Sequence, residues 1–429
     1  MRSSCGTCTS DAPFSFEPGQ NRVCGRISIQ PGSSTMKKLL LAGTATLALT
    51  GAASAEDVKL GIILGFTGPL ESITPNMASG AELAVNEVNE AGTLLEGSKV
   101  TVVRADSTCV DAAAATAAAE RLVTSDKVQG IMGADCSGVT GAVLQNVARP
   151  NGVVMISPSA TSPALSEAED DGLFFRTAPS DARQGEVIAE ILKERDIGSV
   201  AITYTNNDYG KGLADSIQQA FEKAGGKVTI SAAHEDGKAD YSAEVAALAA
   251  AGGDMLVVAG YVDQGGKGVI QAALDTGAFE TFFLPDGMYG DALVEAIGSP
   301  LDGSFGTVPG TDSEGATKIL DMAKEAGFDG TSSYVGESYD AASLILLAMQ
   351  AAGSAAPADY KSKIEEVANA PGEKIYPGDL AKAIELLKAG TDIDYVGATN
   401  VELIGPGESA GSFREYTVKD GKFETDRFR

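Results

Sequence analysis

The sequence predicts an α/β protein of two Rossmann-like lobes, each a parallel sheet flanked by helices. Three observations carry that prediction. From Val58 onward, short β-branched runs alternate with alanine-rich amphipathic segments, the rhythm of strands covered on both faces by crossover helices. The rhythm restarts after Arg176-Thr177-Ala178-Pro179. Finally, 429 residues are too many for one ordinary domain. No Gly/Ser-rich linker separates the halves, so several chain crossings are expected between them.

The N-terminal region reads as processing rather than fold. Met36-Lys37-Lys38, the apolar run LLLAGTATLALTGA and Ala53-Ser54-Ala55 make a secretory signal peptide over 36–55, with a basic start, a short apolar core and an A-x-A cleavage site. Cleavage after Ala55 leaves 374 of the 429 residues. Residues 1–35 precede a complete signal and read as a mis-called N-terminal extension. The Cys5-x-x-Cys8 pair and Cys24 fall there, outside any strand–helix context that would give them redox or metal meaning. No later stretch is long and apolar enough to span a membrane.

Each element follows in turn. VKLGIIL (58–64) is the first strand, and Thr74-Pro75 places an N-cap and a first-turn proline at the head of a helix to Glu90. KVTVVRA (99–105) is a strand, and a helix spans 111–124. GIMGA and VVMIS bracket a helix over 137–148. The second unit runs helix 181–195, strand 199–204, helix 210–224, strand 227–231, helix 240–251, strand 254–260, helix 264–276 and strand 281–285. A long helix surrounds 334–352, and a hairpin turned at Asp420-Gly421 ends the chain.

Composition excludes several functions. Without the extension and signal the chain loses five basic and two acidic residues, leaving a net charge of −30. Nucleic acid and anionic membranes are therefore poor partners. His234 is the only histidine, which argues against a Ser–His–Asp triad, an HExxH site or a His-rich metal centre; in AAHEDGKAD it reads as a solvated loop residue. Gly265-Gly266-Lys267-Gly268 fails as a phosphate loop, because Tyr261 and Gly268 stand where glycine and Ser/Thr are required. No metal and no cofactor are expected.

The candidate site lies at Ile131–Pro163. Two strand ends, each followed by a small-polar turn, are expected side by side and feeding helix N-termini. Those carry unpaired N–H groups and partial positive charge and so seat an anion. Ser137 and Thr161 are capping types at those turns. The two exported cysteines, Cys109 and Cys136, are expected to pair in an oxidising compartment. Closing that loop would contribute about 3–4 kcal/mol and tie down the Asp135-Cys136-Ser137 turn. Ser137, Ser159, Thr161, Tyr209, Tyr261 and Asp286 all follow strand ends, where parallel α/β sheets bind ligands. Each is also an ordinary turn residue taken singly.

From VKLGIILGFTGPL and GAELAVNEVN, through DSTC, GADCS, MISPSATSP and FFRTAPSDARQG, to NDYGKGLA and FLPDG, the chain resembles the periplasmic substrate-binding proteins of branched-chain amino-acid ABC transporters. These are the Leu/Ile/Val-type members of the type I periplasmic binding protein family; the C-terminal third matches more loosely. The resemblance implies a three-stranded hinge between lobe 1 (56–178 and 308–402) and lobe 2 (179–307 and 403–429). It implies that Ser137 and Thr161 hold a ligand α-carboxylate, helped by backbone groups of Ser159 and Ala160. Asp286 would take the α-ammonium group, Tyr209 and Tyr261 would close over the ligand, and Ile73 and Tyr334 would line its side chain. Cys109–Cys136 matches the family disulfide. The implied partners are a small amino-acid ligand and membrane permease subunits, with the protein itself a periplasmic monomer and not an enzyme.

Asp135 departs from the pattern, since Leu/Ile/Val binders carry an apolar residue there. Either it faces a cap or solvent, or it receives a polar or cationic group of the ligand. Three rivals remain: a binder of a polar or cationic amino acid, amide or polyamine; a sensory ligand-binding protein; and a hydrolase using dispersed carboxylates.

Overall fold

The computed structural model describes residues 57–429. The expected signal peptide and the extension before it, with Cys5, Cys8 and Cys24, lie outside the described residues. Strands β1 (Val58–Leu64), β2 (Val100–Asp106), β3 (Gly130–Gly133), β4 (Met155–Ser157) and β5 (Phe174–Arg176) form one parallel sheet, ordered β2-β1-β3-β4-β5. Leu60, Ile62, Ile63, Ile131, Met132 and Ile156 are fully buried, the near-continuous apolar runs that a helix-covered parallel sheet requires. The helices Thr74–Ala91 and Val335–Ala352 pack on each other and on this sheet.

A second sheet takes β6 (Ser199–Thr205), β7 (Lys227–His234), β8 (Met255–Ala259), β9 (Phe282–Leu284) and β10 (Phe305–Pro309) in the parallel order β10-β9-β8-β6-β7. Two small pairs follow, β11 (Glu373–Ile375) with β12 (Ile393–Tyr395) and β13 (Leu403–Gly405) with β14 (Glu408–Ser409). The expected C-terminal hairpin, β15 (Phe413–Lys419) and β16 (Lys422–Phe428), adds to β10 antiparallel. Its turn residues Asp420 and Gly421 both have positive φ, 51° and 67°, as a tight hairpin turn demands.

The architecture is the two-sheet α/β fold the sequence predicts. The chain passes between the sheets three times, near 177–180, 310–313 and 410–412. The crossing segments touch one another: Pro179 bridges Ser409, and the Gly310 N–H donates to the Ser412 carbonyl at 3.0 Å. In each sheet one strand has its sequence neighbours on opposite sides, β1 between β2 and β3 and β6 between β7 and β8. Such switch points open a crevice beyond the carboxyl ends of the strands.

Four local expectations are corrected. Thr74 does not cap its helix: the N-cap position is Ile73, and the Thr74 hydroxyl donates to the Gly65 carbonyl at 2.9 Å. The turn at Thr161 feeds no α-helix, only the single turn Pro163–Leu165, because the chain must reach β5 within a few residues. His234 is not a solvated loop residue. β7 runs three residues further than expected and carries the ring inside, where Nδ1 lies 2.8 Å from the Thr203 hydroxyl and burial lowers its pKa to about 4. Finally, residues 403–409, expected with the second lobe, lie against β5 of the first sheet, where the Arg176 N–H donates to the Gly407 carbonyl at 2.9 Å.

Candidate functional site

The first-sheet side of the crevice is built from the turns after β1, β2, β3 and β4. After β3 the chain must bend at once, and Gly133 makes this possible: its φ is +123°, and a Cβ there would sit 2.1 Å from the Ile63 carbonyl oxygen. Asp135 follows and is almost completely buried. Its two carboxylate oxygens accept from the Gly65 N–H and the Ser107 hydroxyl, both at 2.9 Å, joining the turns after three strands. Burial raises its pKa, and those two hydrogen bonds oppose the rise. Solvent is therefore not what Asp135 faces. Cys136 bonds to Cys109 with their Cα atoms 5.1 Å apart, closing the loop between the second and third turns.

Ser137 is the first residue of the helix Ser137–Val143, and the N-cap is Cys136. The Ser137 oxygen accepts the Ser162 N–H at 3.1 Å, which leaves its hydroxyl proton free to donate. In the turn after β4, the Ser159 hydroxyl donates to the Asp135 carbonyl at 3.0 Å. The Ala160 N–H, expected to face a ligand carboxylate, is instead taken by the Ser157 hydroxyl at 2.9 Å.

What holds this turn is Arg176, fully buried at the end of β5. Nε and one Nη2 hydrogen go to Glu408, Nη1 donates to the Ala160 and Ser162 carbonyls, and Nη2 also reaches the Ser166 hydroxyl. All five guanidinium N–H groups are thereby spent.

The opposite side comes from the turns after β6, β8 and β9. Asp286 is buried, and its carboxylate accepts from the Tyr209 hydroxyl at 3.0 Å and the Tyr334 hydroxyl at 2.5 Å. Burial raises its pKa, and the two tyrosines pull it back. Tyr209 stacks on Tyr261 with ring centroids 5.1 Å apart. Its oxygen also accepts the Gly287 N–H at 3.1 Å. A Cβ on Gly287 would come within 2.7 Å of that oxygen, so the approach of Tyr209 depends on glycine there.

These walls meet. Asp135, Ser137, Ser159, Tyr209, Tyr261, Asp286 and Tyr334, seven of the ten predicted ligand residues, border one cavity together with Leu70, Cys136 and Gly287. Ile73, Ala160 and Thr161 do not border it: Ile73 packs towards Val262 and Gly290, and Leu70 takes the place expected of it. The Thr161 hydroxyl is buried without a partner in hydrogen-bond geometry among the described residues. Arg176 and Asp181 stand beside the site without having been expected there. A cation ending the apolar run Phe174-Phe175 was a usable signal, since a buried guanidinium demands acceptors. Asp181 gave none, because an acidic residue in a first helical turn is ordinary.

Two α/β sheets joined by three crossings, with a cavity between their strand ends, make the architecture of a clamshell solute-binding protein. By sequence the chain belongs to the periplasmic binding protein family, whose model matches residues 57–377. It is 30% identical over 325 residues to the leucine-specific-binding protein of Salmonella typhimurium, covering 75% of this chain and 86% of that one. To the Leu/Ile/Val-binding protein of Escherichia coli it is 31% identical over 307 residues, covering 71% and 82%. The fold is similar to that of a branched-chain amino-acid transporter substrate-binding protein from Streptococcus pneumoniae in complex with isoleucine. There the TM-score is 0.72 at 22% identity, over 87% of this chain and 99% of that one. A leucine-binding protein of Thermotoga maritima gives a TM-score of 0.71 at 22% identity, over 86% and 98%.

Proposed function

We propose that the protein captures an amino acid, branched-chain or related, in this cavity in the periplasm and delivers it to the permease of an ABC transporter. The observation that carries the reading is the polarity of the cavity walls. A free hydroxyl donor, Ser137, stands at a helix start on one side, and a buried carboxylate, Asp286, stands on the other. That arrangement suits a zwitterion, with its carboxylate on the first-sheet side and its ammonium group on the second. The names of the relatives supply the side-chain class, and the apolar Leu70 and the tyrosine rings suit an aliphatic group.

The cavity offers only about 10 Å³, room for about one water, so an amino acid enters only when the walls part. The three adjacent crossings are the natural hinge for lobes 56–178 with 308–409 and 179–307 with 410–429, and ligand favours closure by touching both walls. Charge-assisted hydrogen bonds contribute about 1.5–3 kcal/mol each, and a buried aliphatic side chain about 1.5–3 kcal/mol. After the costs of association, affinity of about −8 kcal/mol, low micromolar or tighter, is expected. A thermal-shift screen over amino acids, amides and polyamines tests the reading. Stabilisation by leucine, isoleucine or valine supports it, and a response confined to polyamines or amides moves the ligand class to the cationic alternative that the carboxylate of Asp135 favours.

A further inference from the structure

A second cavity, of about 310 Å³, opens where the middle crossing passes between the sheets, and only Tyr334 borders both it and the site above. That volume suits a small organic molecule. Its walls are the helix Glu314–Ala326, the first turn of the helix Val335–Ala352, the end of β10 and the hairpin β15–β16. Among the described residues four large apolar side chains are exposed, Val110, Leu320, Ile404 and Phe428. Two of them flank this pocket, Leu320 from the helix and Phe428 from β16. Exposed apolar groups gathered around a cavity, rather than scattered singly, mark a binding surface.

The charged groups on its walls are also uncommitted. The chain has 59 acidic residues against 32 basic ones, and the nearby Arg195, Arg427 and Arg429 all pair with Glu415. Arg414, on β15, makes no ion pair among the described residues; its guanidinium lies over the Tyr289 ring, 4.6 Å from the centre. Glu337 is buried in the pocket wall. Among the described residues, the one hydrogen bond it accepts from another side chain goes to its main-chain carbonyl, from the Thr177 hydroxyl at 2.9 Å. Burial raises its pKa to about 8; the charged groups facing it are Asp340, which adds to the rise, and Arg414, which opposes it. Asp340 has donors of its own in Tyr395, Ala398 and Thr399. Near neutral pH Glu337 therefore carries a proton it can donate. We infer that this pocket is a second binding site, for a small monocarboxylic acid with a compact apolar body. The ligand carboxylate would rest on the Arg414 guanidinium and the Glu337 O–H, and its body between Leu320 and Phe428.

Ionised Glu337 would repel the bound anion, so affinity should fall as pH rises above about 8, by up to about tenfold per unit. The inference does not depend on the amino-acid reading, and the test keeps the two apart. Sodium 1-naphthoate is titrated onto the full chain at pH 7 and followed by saturation-transfer NMR. Beside it runs 1-naphthalenemethanol, which has the same rings and no charge. Naphthoate should bind saturably at about millimolar or tighter, and the alcohol about tenfold more weakly. Asp286→Ala, which disables the other cavity, should leave naphthoate binding unchanged; its loss there would put the probe in that cavity and overturn the inference. Arg414→Gln should weaken naphthoate about tenfold or more, and Phe428→Ala, at an exposed position, about fivefold. Either variant decides if the other does not fold by circular dichroism. Glu337→Gln keeps a donor, so binding at pH 7 should persist while the fall above pH 8 disappears. No saturable binding, equal binding of the alcohol, or naphthoate affinity untouched in the folded variants of Arg414 and Phe428 overturns the inference.

Discussion

The two walls of the cavity are built by different physical means. The first-sheet wall is a set of turns clamped from behind by a disulfide, a buried carboxylate joining three turns, and a guanidinium with every donor engaged. Among the described residues, the second-sheet wall has no such clamp. Its central carboxylate is held by two tyrosine hydroxyls, one of them from Tyr334, which precedes the helix Val335–Ala352 packed on the first sheet. Charge on the first wall is satisfied within the wall, whereas charge on the second is satisfied only in part. The difference teaches which wall serves stability and which serves ligand.

Arg176→Met should show it most strongly. It leaves the Glu408 carboxylate and two buried carbonyls without donors, so stability should fall by about 3–5 kcal/mol, read from urea unfolding of the ligand-free protein. A loss below about 1 kcal/mol, the range of a surface pair, would remove the clamp from the account. Replacing Cys109 and Cys136 together with serine opens a loop of sequence separation 27 and should cost about 3–4 kcal/mol, seen as a lower melting temperature that a reducing agent reproduces in the wild type.

On the other wall the order reverses. Asp286→Ala should lower L-leucine affinity by about a hundredfold or more, from loss of charge-assisted bonds, with little change in ligand-free melting. A variant that melts early yet binds normally would break the comparison. Ser137→Ala is the smallest case, with affinity weakened by about tenfold from loss of one hydroxyl–carboxylate hydrogen bond in calorimetry.

Much of this was legible in the sequence because period and punctuation are local. The alternation of apolar runs and alanine-rich segments placed both sheets, and polar residues just past strand ends marked seven of the residues that border the cavity. What escaped depended on tertiary distance. Thr161 sits at a turn that could have opened a helix, but β5 follows too soon. His234 has a polar sequence neighbourhood and an apolar spatial one. Asp181 looks like any first-turn acid until its missing donors are counted. Ile73 and Leu70 lie three residues apart before one helix, and no local rule says which faces the cavity.

The central claim is that the cavity holds a zwitterion between unlike walls. Calorimetric titration of the wild type and Asp286→Ala with L-leucine, beside leucinol and 4-methylpentanoate, tests it most directly. Leucinol lacks the carboxylate and 4-methylpentanoate lacks the ammonium group. The account predicts saturable one-to-one binding of leucine at about micromolar or better, far weaker binding of both analogues, and loss of leucine binding in the variant. 4-Methylpentanoate binding as tightly as leucine, with affinity unchanged by Asp286→Ala, would contradict it.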